Sequence, residues 1–361
     1  MSTDATRWHD NPTDPVRVRR REAGKLLGAD LDRLGGYTPA LGQLLLDGDP
    51  VAAATLGGAL RPETIAAAVA ADLFDEFEAD NVTYVRCTAT IAPTTVSEDT
   101  GWIAFDPEWD DRDDRVPGPG NASDTLLGAL AVDEARTAAD IGTGCGYVAL
   151  HLSAIAPRVI ATDINPRALA YAELTAALNG QEWDLRLGSY LEPLHGADVE
   201  LIVANPAFVV GNPDAPSTFR DGDADLSARL VAAMVEVLPP GGVGQFLGNW
   251  LYRHDTDRPA EAAAAAAGEN DCLVVERAIV EPARYVELWV DPDDPVFARW
   301  VDALARVPVV AIGTGIVTVF RGGGTPRRGV ARLLDADDEA LGPAIAEWID
   351  DAASDPATPA D

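Results

Sequence analysis

The chain has 361 residues, of which 47% are hydrophobic and 24% charged, and 59 acidic against 27 basic residues give a formal net charge of −32 at pH 7. This length exceeds one typical domain, and the composition is that of a folded protein and excludes a disordered one. The negative charge either opposes non-specific attraction to a nucleic-acid backbone or marks only a strongly solvated surface suited to high salt.

Several other classes of protein are disfavoured by the sequence. No run reaches the roughly 20 apolar residues that cross a bilayer, and the N-terminus lacks the basic and then apolar order of a secretory signal. The three cysteines and four histidines lie far apart, which argues against a disulfide framework and against a zinc site. We therefore expect a cytoplasmic protein with no membrane partner and no metal.

The first 106 residues predict a helical region followed by a small β region. Apolar residues at helical spacing predict helices over 40–46 and 62–77, and β-prone residues predict strands over 82–87 and 102–105. One basic cluster lies upstream, and we interpret it as a solvated helix face in preference to an arm that binds nucleic acid: Arg17, Arg19, Arg20, Arg21 and Lys25.

From residue 138 onward, short apolar runs alternate with helical segments. The predicted strands are 138–141, 159–163, 184–187, 199–204 and 244–247, with helices over 147–155 and 166–179 between the first three. This alternation is typical of α/β proteins with a parallel sheet covered by helices. Further along, the sequence predicts helices over 260–267, 282–289 and 296–306, strands over 272–278 and 307–320, and an acidic tail from 327 that is disordered after 349.

A glycine-rich loop, Asp140 to Gly146, follows the first of these strands. Its glycines have the spacing G-x-G-x-G, whereas a dinucleotide fingerprint requires a glycine where Tyr147 stands. Asp140 would repel a pyrophosphate and can pair with a cationic ligand. Asp163 ends the next strand, 21 residues after Gly142, where it can accept hydrogen bonds from both hydroxyls of a ribose. The loop therefore predicts a nucleoside ligand with a positively charged tail.

Asp140 to Gly146 together with Asp163-Ile164-Asn165-Pro166 resembles motif I and the following acidic motif of class I S-adenosylmethionine-dependent methyltransferases. The resemblance implies a Rossmann-like, mainly parallel seven-stranded sheet that binds S-adenosylmethionine. Ser189 stands where this family often has an acidic residue near the adenine. The residues expected to bind the cofactor are Asp140, Gly142, Thr143, Gly144, Gly146, Asp163, Ile164, Ser189 and Asn205.

Asn205-Pro206-Ala207-Phe208 follows the fourth strand, at the edge where open α/β sheets bind their ligands. Alone it could be a simple turn. In this context it resembles the N-P-P-Y/F motif of methyltransferases that act on planar nitrogen, with Ala207 in place of the second proline. The Asn205 side-chain oxygen and the Pro206 carbonyl can accept the two N–H bonds of an amide or aryl amine, while Phe208 stacks on its plane. Asn205, Pro206 and Phe208 are therefore the candidate catalytic residues.

The segment 118–123 precedes the glycine-rich loop and has two interpretations. It covers the methionine end of the cofactor, as the equivalent segment does in similar enzymes, or it is an ordinary loop in which Ser123 or Asp124 caps a helix over 125–130.

The expected organisation is a substrate-presenting N-terminal region over 1–106, a methyltransferase domain over 107–325 and an acidic tail over 326–361. We expect methylation of a protein glutamine side chain, as in translation release factors, slightly more than of a guanine or adenine amino group in structured RNA. Two other hypotheses remain: a protein that binds S-adenosylmethionine without turnover, and a nicotinamide dehydrogenase, which Tyr147 and Asp140 oppose.

Overall fold

A computed structural model describes residues 11–207, 209–210, 225–254, 258–333 and 338–354. The chain divides into two compact units, the first formed by residues 1–120 and 143–189 and the second by residues 121–142 and 190–361. Elements are numbered along the whole chain. The first unit contains α1 (Pro15–Leu34), α2 (Pro39–Leu45), α3 (Ala53–Leu56), α4 (Pro62–Ala70), α6 (Tyr147–Leu152) and α7 (Pro166–Leu178), with β1 (Val51–Ala52), β2 (Phe74–Ala79), β3 (Val82–Cys87), β4 (Thr90–Val96), β5 (Asp99–Phe105), β7 (Val159–Asp163) and β8 (Asp184–Leu187).

The second unit contains the remaining elements, which are α5 (Asn121–Gly128), α8 (Leu226–Val237), α9 (Pro259–Ala265), α10 (Pro282–Glu287), α11 (Pro295–Arg306) and α12 (Asp338–Ser354), with β6 (Ala138–Ile141), β9 (Leu201–Ala204), β10 (Val243–Tyr252), β11 (Asp271–Val280), β12 (Ala311–Phe320) and β13 (Arg328–Arg332).

In the second unit, six strands of the described part of the chain form one sheet, in the order β13-β11-β12-β10-β9-β6. In the first unit, β7 and β8 pair with each other. Pairing is parallel except on both sides of β12, which runs antiparallel to β10 and β11. The predicted α/β class with a mainly parallel sheet is confirmed. One strand of this sheet was not predicted from the sequence, namely β13, which pairs in parallel with β11.

In the first unit, helix α1 packs closely against α7. Asp14 caps its N-terminus, Pro15 stands in its first turn, and Gly35 ends it in a left-handed conformation with φ of 67°. A Cβ atom on Gly24 would lie 2.8 Å from the Ala177 Cβ, and one on Gly28 would lie 1.9 Å from the Leu178 carbonyl oxygen. The two glycines therefore set the separation of the two helices.

The β4–β5 hairpin of the first unit is also attached to α7. The Trp102 amide donates to Asn179 Oδ1 at 2.8 Å, Asn179 Nδ2 donates to the Trp102 carbonyl at 2.6 Å, and the Ala104 amide donates to Thr175 Oγ1 at 3.1 Å. Side chains of the helix and of its C-terminal end thus satisfy backbone groups of β5 that no strand pairs. This attachment holds the N-terminal region on the helix that follows Asp163.

Two predicted elements differ from the structure. The helix predicted over 62–77 ends at Ala70, and Phe74 begins strand β2. The segment predicted as a tail from 327, disordered after 349, contains β13 and helix α12, which continues to Ser354. The domain boundaries at 106/107 and 325/326 remain predictions from the sequence.

The basic cluster lies on α1, as expected of a helix face, but it is not wholly solvated. Arg17 and Arg20 are 8% and 9% exposed. Arg17 Nη2 lies 2.8 Å from Glu173 Oε1 of α7, and Arg21 contacts the same carboxylate at 3.3 Å. Burial is the largest influence on Arg20, whose pKa it lowers. Part of the cluster therefore serves the contact between two helices, which corrects the interpretation as a solvated face.

Candidate active site

The glycine-rich loop of the first unit, Thr143 to Gly146, is closed by backbone hydrogen bonds. The Thr143 amide donates to the Thr162 carbonyl at 2.9 Å, and the Gly146 amide donates to the Thr143 carbonyl at 2.8 Å. Gly144 and Gly146 have φ of 54° and 84°, in the left-handed region that favours glycine. The predicted strand, loop and helix order is therefore present.

The glycines of this loop differ in their surroundings. A Cβ atom on Gly144 would meet no atom within 4 Å, whereas one on Gly146 would lie 2.7 Å from the Trp183 ring and 3.2 Å from the Ala172 Cα. Gly146 is therefore required for packing against α7. Gly144 leaves open space beside the backbone, as close approach to a ligand requires.

Asp163, at the end of β7, is fixed by backbone donors of its own unit. Its Oδ2 accepts from the Gly144 amide at 2.9 Å and its Oδ1 accepts from the Asn165 amide at 2.8 Å. The side chain is 9% exposed, and burial raises the pKa of this carboxyl, while hydrogen bonds from the Asn165, Gly144 and Ile164 amides oppose the rise. The structure thus brings two of the predicted cofactor residues, Gly144 and Asp163, together.

Ile164 and Ser189 belong to the two segments that follow the neighbouring strands β7 and β8. Ile164 is 58% exposed although it follows a buried strand, and Leu187, at the end of β8, is 47% exposed. The Gly188 amide donates to the Asp163 carbonyl at 3.0 Å, which places the turn carrying the half-buried Ser189 next to Asp163. Exposed apolar side chains beside a buried carboxylate are suited to a ligand with one polar and one flat apolar part.

In the second unit, Asp140 and Gly142 lie at the end of β6, which pairs in parallel with β9. Asp140 is 1% exposed. Gly142 has φ of 71°, and a Cβ atom there would meet no atom within 4 Å. Both glycines predicted to approach the ligand, Gly142 and Gly144, therefore have an open side.

Asn205 and Pro206 follow β9 in the same unit. Asn205 Nδ2 donates to Ser123 Oγ of α5 at 3.1 Å, which orients the amide and directs its oxygen away from α5. Asn205 is half-buried and Pro206 is buried. Phe208, the third predicted catalytic residue, lies outside the described residues.

The contact of Ser123 with Asn205 is one that sequence reasoning missed. The sequence assigned Ser123 to a cofactor-covering loop or to a helix cap, with the helix starting at 125. In the structure helix α5 already begins at Asn121, and Ser123 lies in its first turn, 9% exposed. The signal available in the sequence was a small hydroxyl residue shortly before the glycine-rich loop, but the contact spans 82 positions and no local pattern indicates it.

Within the described residues, no helix has the length and apolar character needed to cross a membrane. The same residues contain no group of three or more histidine, cysteine, aspartate or glutamate side chains arranged to hold a metal ion.

Residues 118–249 match the family model of the methyltransferase small domain. The matched segment contains the glycine-rich loop, Asp163 and Asn205, and over this segment the predicted resemblance to methyltransferases is confirmed. It is somewhat more than a third of the chain.

Two relatives and one solved structure illustrate the comparison. The chain is 36% identical over 136 residues to a release factor glutamine methyltransferase of Moorella thermoacetica, covering 33% of this chain and 48% of the relative. It is 36% identical over 105 residues to a ribosomal protein L11 methyltransferase of Symbiobacterium thermophilum, covering 27% and 34%. The chain therefore spans about half the length, or less, of these relatives. The T. thermophilus 16S rRNA N2 G1207 methyltransferase, in complex with AdoMet and guanosine, is similar with a TM-score of 0.36 and 16% identity over 55% of each chain.

Proposed function

We propose that this protein is an S-adenosylmethionine-dependent methyltransferase that acts on a planar amide or amino nitrogen, with a protein glutamine side chain as the favoured acceptor. The observation that carries the proposal is the orientation of Asn205 by Ser123 directly after the parallel strand β9. An acceptor of this kind, a translation factor in the favoured case, is encountered in the cytoplasm.

The residues present fit S-adenosylmethionine. The open sides of Gly142 and Gly144 allow a ligand to approach the backbone. Asp163 has both oxygens fixed by backbone amides, and each oxygen retains lone-pair capacity for a ribose hydroxyl. Asp140 supplies a buried acidic group at the end of β6, suited to a cationic ligand. Thr143, Gly146, Ile164, Ser189 and Asn205 complete the proposed cofactor residues.

Methyl transfer requires that the lone pair of the acceptor nitrogen be available to attack the methyl group. When bound, S-adenosylmethionine supplies an electrophilic methyl group on a sulfonium. An amide nitrogen is a poor nucleophile because its lone pair is delocalised into the carbonyl. Asn205 Oδ1 and the Pro206 carbonyl accept its two N–H bonds, which orients the lone pair and draws electron density toward the nitrogen. Positioning of this kind lowers a barrier by up to about 7 to 11 kcal/mol in favourable models.

The proton balance needs no strong base. The nitrogen that gains the methyl group becomes acidic and releases one of the two protons already hydrogen-bonded to Asn205 Oδ1 and the Pro206 carbonyl, finally to water. Both oxygens are neutral acceptors, so they hold the proton in place during transfer and do not retain it.

The acceptor class is supported by the curated relatives, one named for release factor glutamine and one for a ribosomal protein. Net acidity agrees with a protein acceptor, since it opposes attraction to RNA phosphates. The planar-nitrogen motif itself serves both amides and nucleobase amines, and so the experiment below includes an RNA arm.

The cofactor is tested by calorimetric titration of S-adenosylmethionine and S-adenosylhomocysteine into the wild type and Asp163→Ala. Asp198→Ala is the matched control, since the Asp198 side chain is 67% exposed and lies 3.8 Å from Arg136. We expect micromolar binding that Asp163→Ala weakens at least about 10-fold, from the loss of charge-assisted hydrogen bonds to the ribose, and that the control leaves unchanged. Folded wild type that binds neither compound would reject the proposal.

The acceptor is tested by tritium-methyl transfer to a recombinant bacterial release factor and, separately, to purified ribosomal and transfer RNA, with Asn205→Ala as the inactive control. Label in the release factor that is lost on replacement of its acceptor glutamine supports the favoured version. Label in RNA alone assigns the amino-group version. Cofactor binding without transfer to either pool identifies a non-catalytic binder.

A further inference from the structure

Val210, five residues after Asn205, has both of its backbone polar groups satisfied by side chains from two helices. Its amide donates to the Tyr285 hydroxyl of α10 at 3.3 Å, and its carbonyl accepts from Trp300 Nε1 of α11 at 3.0 Å. Val210 is 1% exposed, so neither group has water as an alternative partner. The described part of the segment after β9, residues 205–207 and 209–210, is called the acceptor loop below.

The Tyr285 hydroxyl is itself held in place by the sheet. Asn249 Nδ2 of β10 donates to it at 2.7 Å, and the Asn249 carbonyl accepts from Ser227 Oγ of α8 at 3.0 Å. Tyr285 is fully buried. The hydroxyl therefore joins β10, which is the strand beside β9, to the end of the acceptor loop.

An apolar cluster surrounds these hydrogen bonds. The rings of Tyr285 and Trp300 meet edge to face, with centroids 6.2 Å apart and an interplanar angle of 88°. The buried residues of the cluster, besides Tyr285 and Trp300, are Val209, Val210, Val286, Leu304, Val309 and Ile312. Because the cluster excludes water, loss of a single hydrogen bond inside it leaves a buried group without a partner.

The acceptor loop needs support of this kind because Ala207 stands where the similar motif has a second proline. A proline fixes φ near −65°, whereas alanine leaves the backbone free to populate other conformations. The Ala207 backbone has no positive φ, so the position is open to proline without left-handed strain. The hydrogen bonds to Val210 restrict the backbone conformations of the acceptor loop from its other end.

We propose that Tyr285 and Trp300 are positioning residues that hold the acceptor loop in register and replace the stiffness that a proline at position 207 would give. The inference rests on the proposed function for its catalytic consequence. Its structural part, the anchoring of Val210, can be measured without any substrate.

The anchoring is tested by hydrogen exchange of the backbone amides over 205–210 in the full-length protein. Tyr285→Phe removes only the hydroxyl and Trp300→Phe removes the indole donor. Tyr252→Phe is the matched control, because it also removes a buried hydroxyl of the second unit, one that donates to Glu276 Oε1 at 2.6 Å. We expect Tyr285→Phe to accelerate exchange at Val210 at least about 10-fold and the control to leave that rate unchanged. Equal rates in Tyr285→Phe and the control would overturn the anchoring.

The positioning role is tested by methyl-transfer kinetics with the release factor, or with RNA if that is the labelled acceptor. We expect Tyr285→Phe and Trp300→Phe to lower kcat by about 10-fold or more, with little change in the KM for the acceptor or in the affinity for S-adenosylmethionine. Adding Ala207→Pro to Tyr285→Phe should restore part of kcat. A general loss of folding in Tyr285→Phe would also lower the amount of S-adenosylmethionine bound per chain, which a positioning role leaves unchanged.

The hydrogen-exchange test and the methyl-transfer test can be contradicted independently of each other. Wild type that transfers no methyl group rejects the proposed function, while the exchange rates still decide whether Tyr285 anchors Val210. If Tyr285→Phe accelerates exchange at Val210 but leaves kcat unchanged, only the positioning role is rejected. The positioning role is also rejected if Ala207→Pro lowers kcat both in the wild type and in Tyr285→Phe.

Discussion

In the proposed reaction, the hydrogen bond from Asn205 to Ser123 decides which end of the Asn205 amide faces the methyl acceptor. The two ends have nearly equal size but opposite hydrogen-bonding character, so a rotated amide would present donors to a nitrogen that also carries donors. Ser123→Ala removes the acceptor that holds Asn205 Nδ2 at 3.1 Å. We expect kcat to fall about 10-fold, in line with about 1.4 kcal/mol for one lost hydrogen bond, at unchanged affinity for S-adenosylmethionine.

Steady-state kinetics with calorimetry measure both effects of Ser123→Ala. Ser153→Ala is the comparison, since Ser153 Oγ accepts from Trp183 Nε1 at 2.8 Å in the first unit and has no contact with Asn205. An unchanged kcat in Ser123→Ala would show that the amide holds its orientation without this bond.

The buried carboxyl of Asp163, proposed to bind the cofactor, has a cost in stability. Burial raises the pKa of its carboxyl in the folded state, so the folded protein binds this proton more readily than the unfolded chain does. The stability contributed by the group is present below the unfolded pKa and is lost as the pH rises through the folded pKa. Asp163→Asn should therefore become progressively more stable than the wild type over that pH range, while binding S-adenosylmethionine more weakly.

Thermal unfolding from pH 3.5 to 8 tests this prediction for Asp163→Asn. A melting-temperature difference that moves in favour of the variant with rising pH supports it. A difference that is constant, or that moves in favour of the wild type, contradicts the raised pKa.

The sequence locates candidate site residues where strands end, as Asp163 does in β7 and Asn205 does directly after β9. The Asp163 contact to Gly144 follows from the strand, loop and helix order. The hydrogen bonds that hold the acceptor loop do not follow from this order of elements. Ser123, Tyr285 and Trp300 contact the loop from 75 to 90 positions away in the sequence. Contacts at such separation depend on packing, which one sequence does not reveal.

At the scale of elements, the contact between α1 and α7 depends on Gly28. A Cβ atom there would lie 1.9 Å from the Leu178 carbonyl oxygen, which is backbone and has no rotamer to change. We expect Gly28→Ala to lower the free energy of unfolding by about 1 to 3 kcal/mol, as overpacking does elsewhere, with a matching fall in denaturation midpoint.

Gly42→Ala is the matched control for this substitution. It is also a helical glycine of the first unit, but its added Cβ would have its nearest neighbour, Tyr37 Cδ2, at 4.0 Å. That variant should be neutral or stabilised by about 0.5 to 1 kcal/mol, because alanine restricts the unfolded chain. Denaturant titration of both variants gives the comparison, and similar midpoints would contradict a tight helix crossing.

The wrong prediction over 62–77 has a local cause. Apolar spacing continues through this segment, but Asp72 adopts a left-handed conformation with φ of 54°, which ends the helical region. The chain then pairs Phe74 with Cys87 and continues as β2 beside β3. Aspartate tolerates this conformation better than most residues, yet periodicity gives no sign of it. The long strands and helices of the sheet were predicted because their patterns are not interrupted in this way.

At the scale of the whole molecule, the net charge of −32 disfavours the compact state through self-repulsion. Several of the arginines are engaged with carboxylates, including the buried contacts of Arg17 with Glu173 and Arg167 with Asp106. The 59 acidic residues far outnumber the 27 basic residues that could pair with them. Their repulsion is screened by salt, because the Debye length falls from about 30 Å at 0.01 M to about 3 Å at 1 M.

We therefore expect the melting temperature to rise between 0.01 and 1 M potassium chloride, by several degrees. Scanning calorimetry measures the change. The rise in melting temperature with salt should be smaller at a pH near the sequence pI of about 4.2, since the net charge then approaches zero. A melting temperature that falls with added salt would show that attractive ion pairs outweigh the repulsion.

The C-terminal strand and helix limit where the chain can be shortened. β13 covers the outer edge of β11, and Arg332 Nε donates to the buried Glu276 at 2.8 Å. A Cβ atom on Gly342 of α12 would lie 3.3 Å from the carbonyl oxygen of Gly128, the last residue of α5, and 2.7 Å from that of Leu130 just beyond it. A truncation after residue 325, where the sequence places the end of the catalytic domain, would uncover a flat strand edge that invites self-association. It would also remove the support beneath the helix that carries Ser123, so an expression fragment of this protein should retain residues up to Ser354.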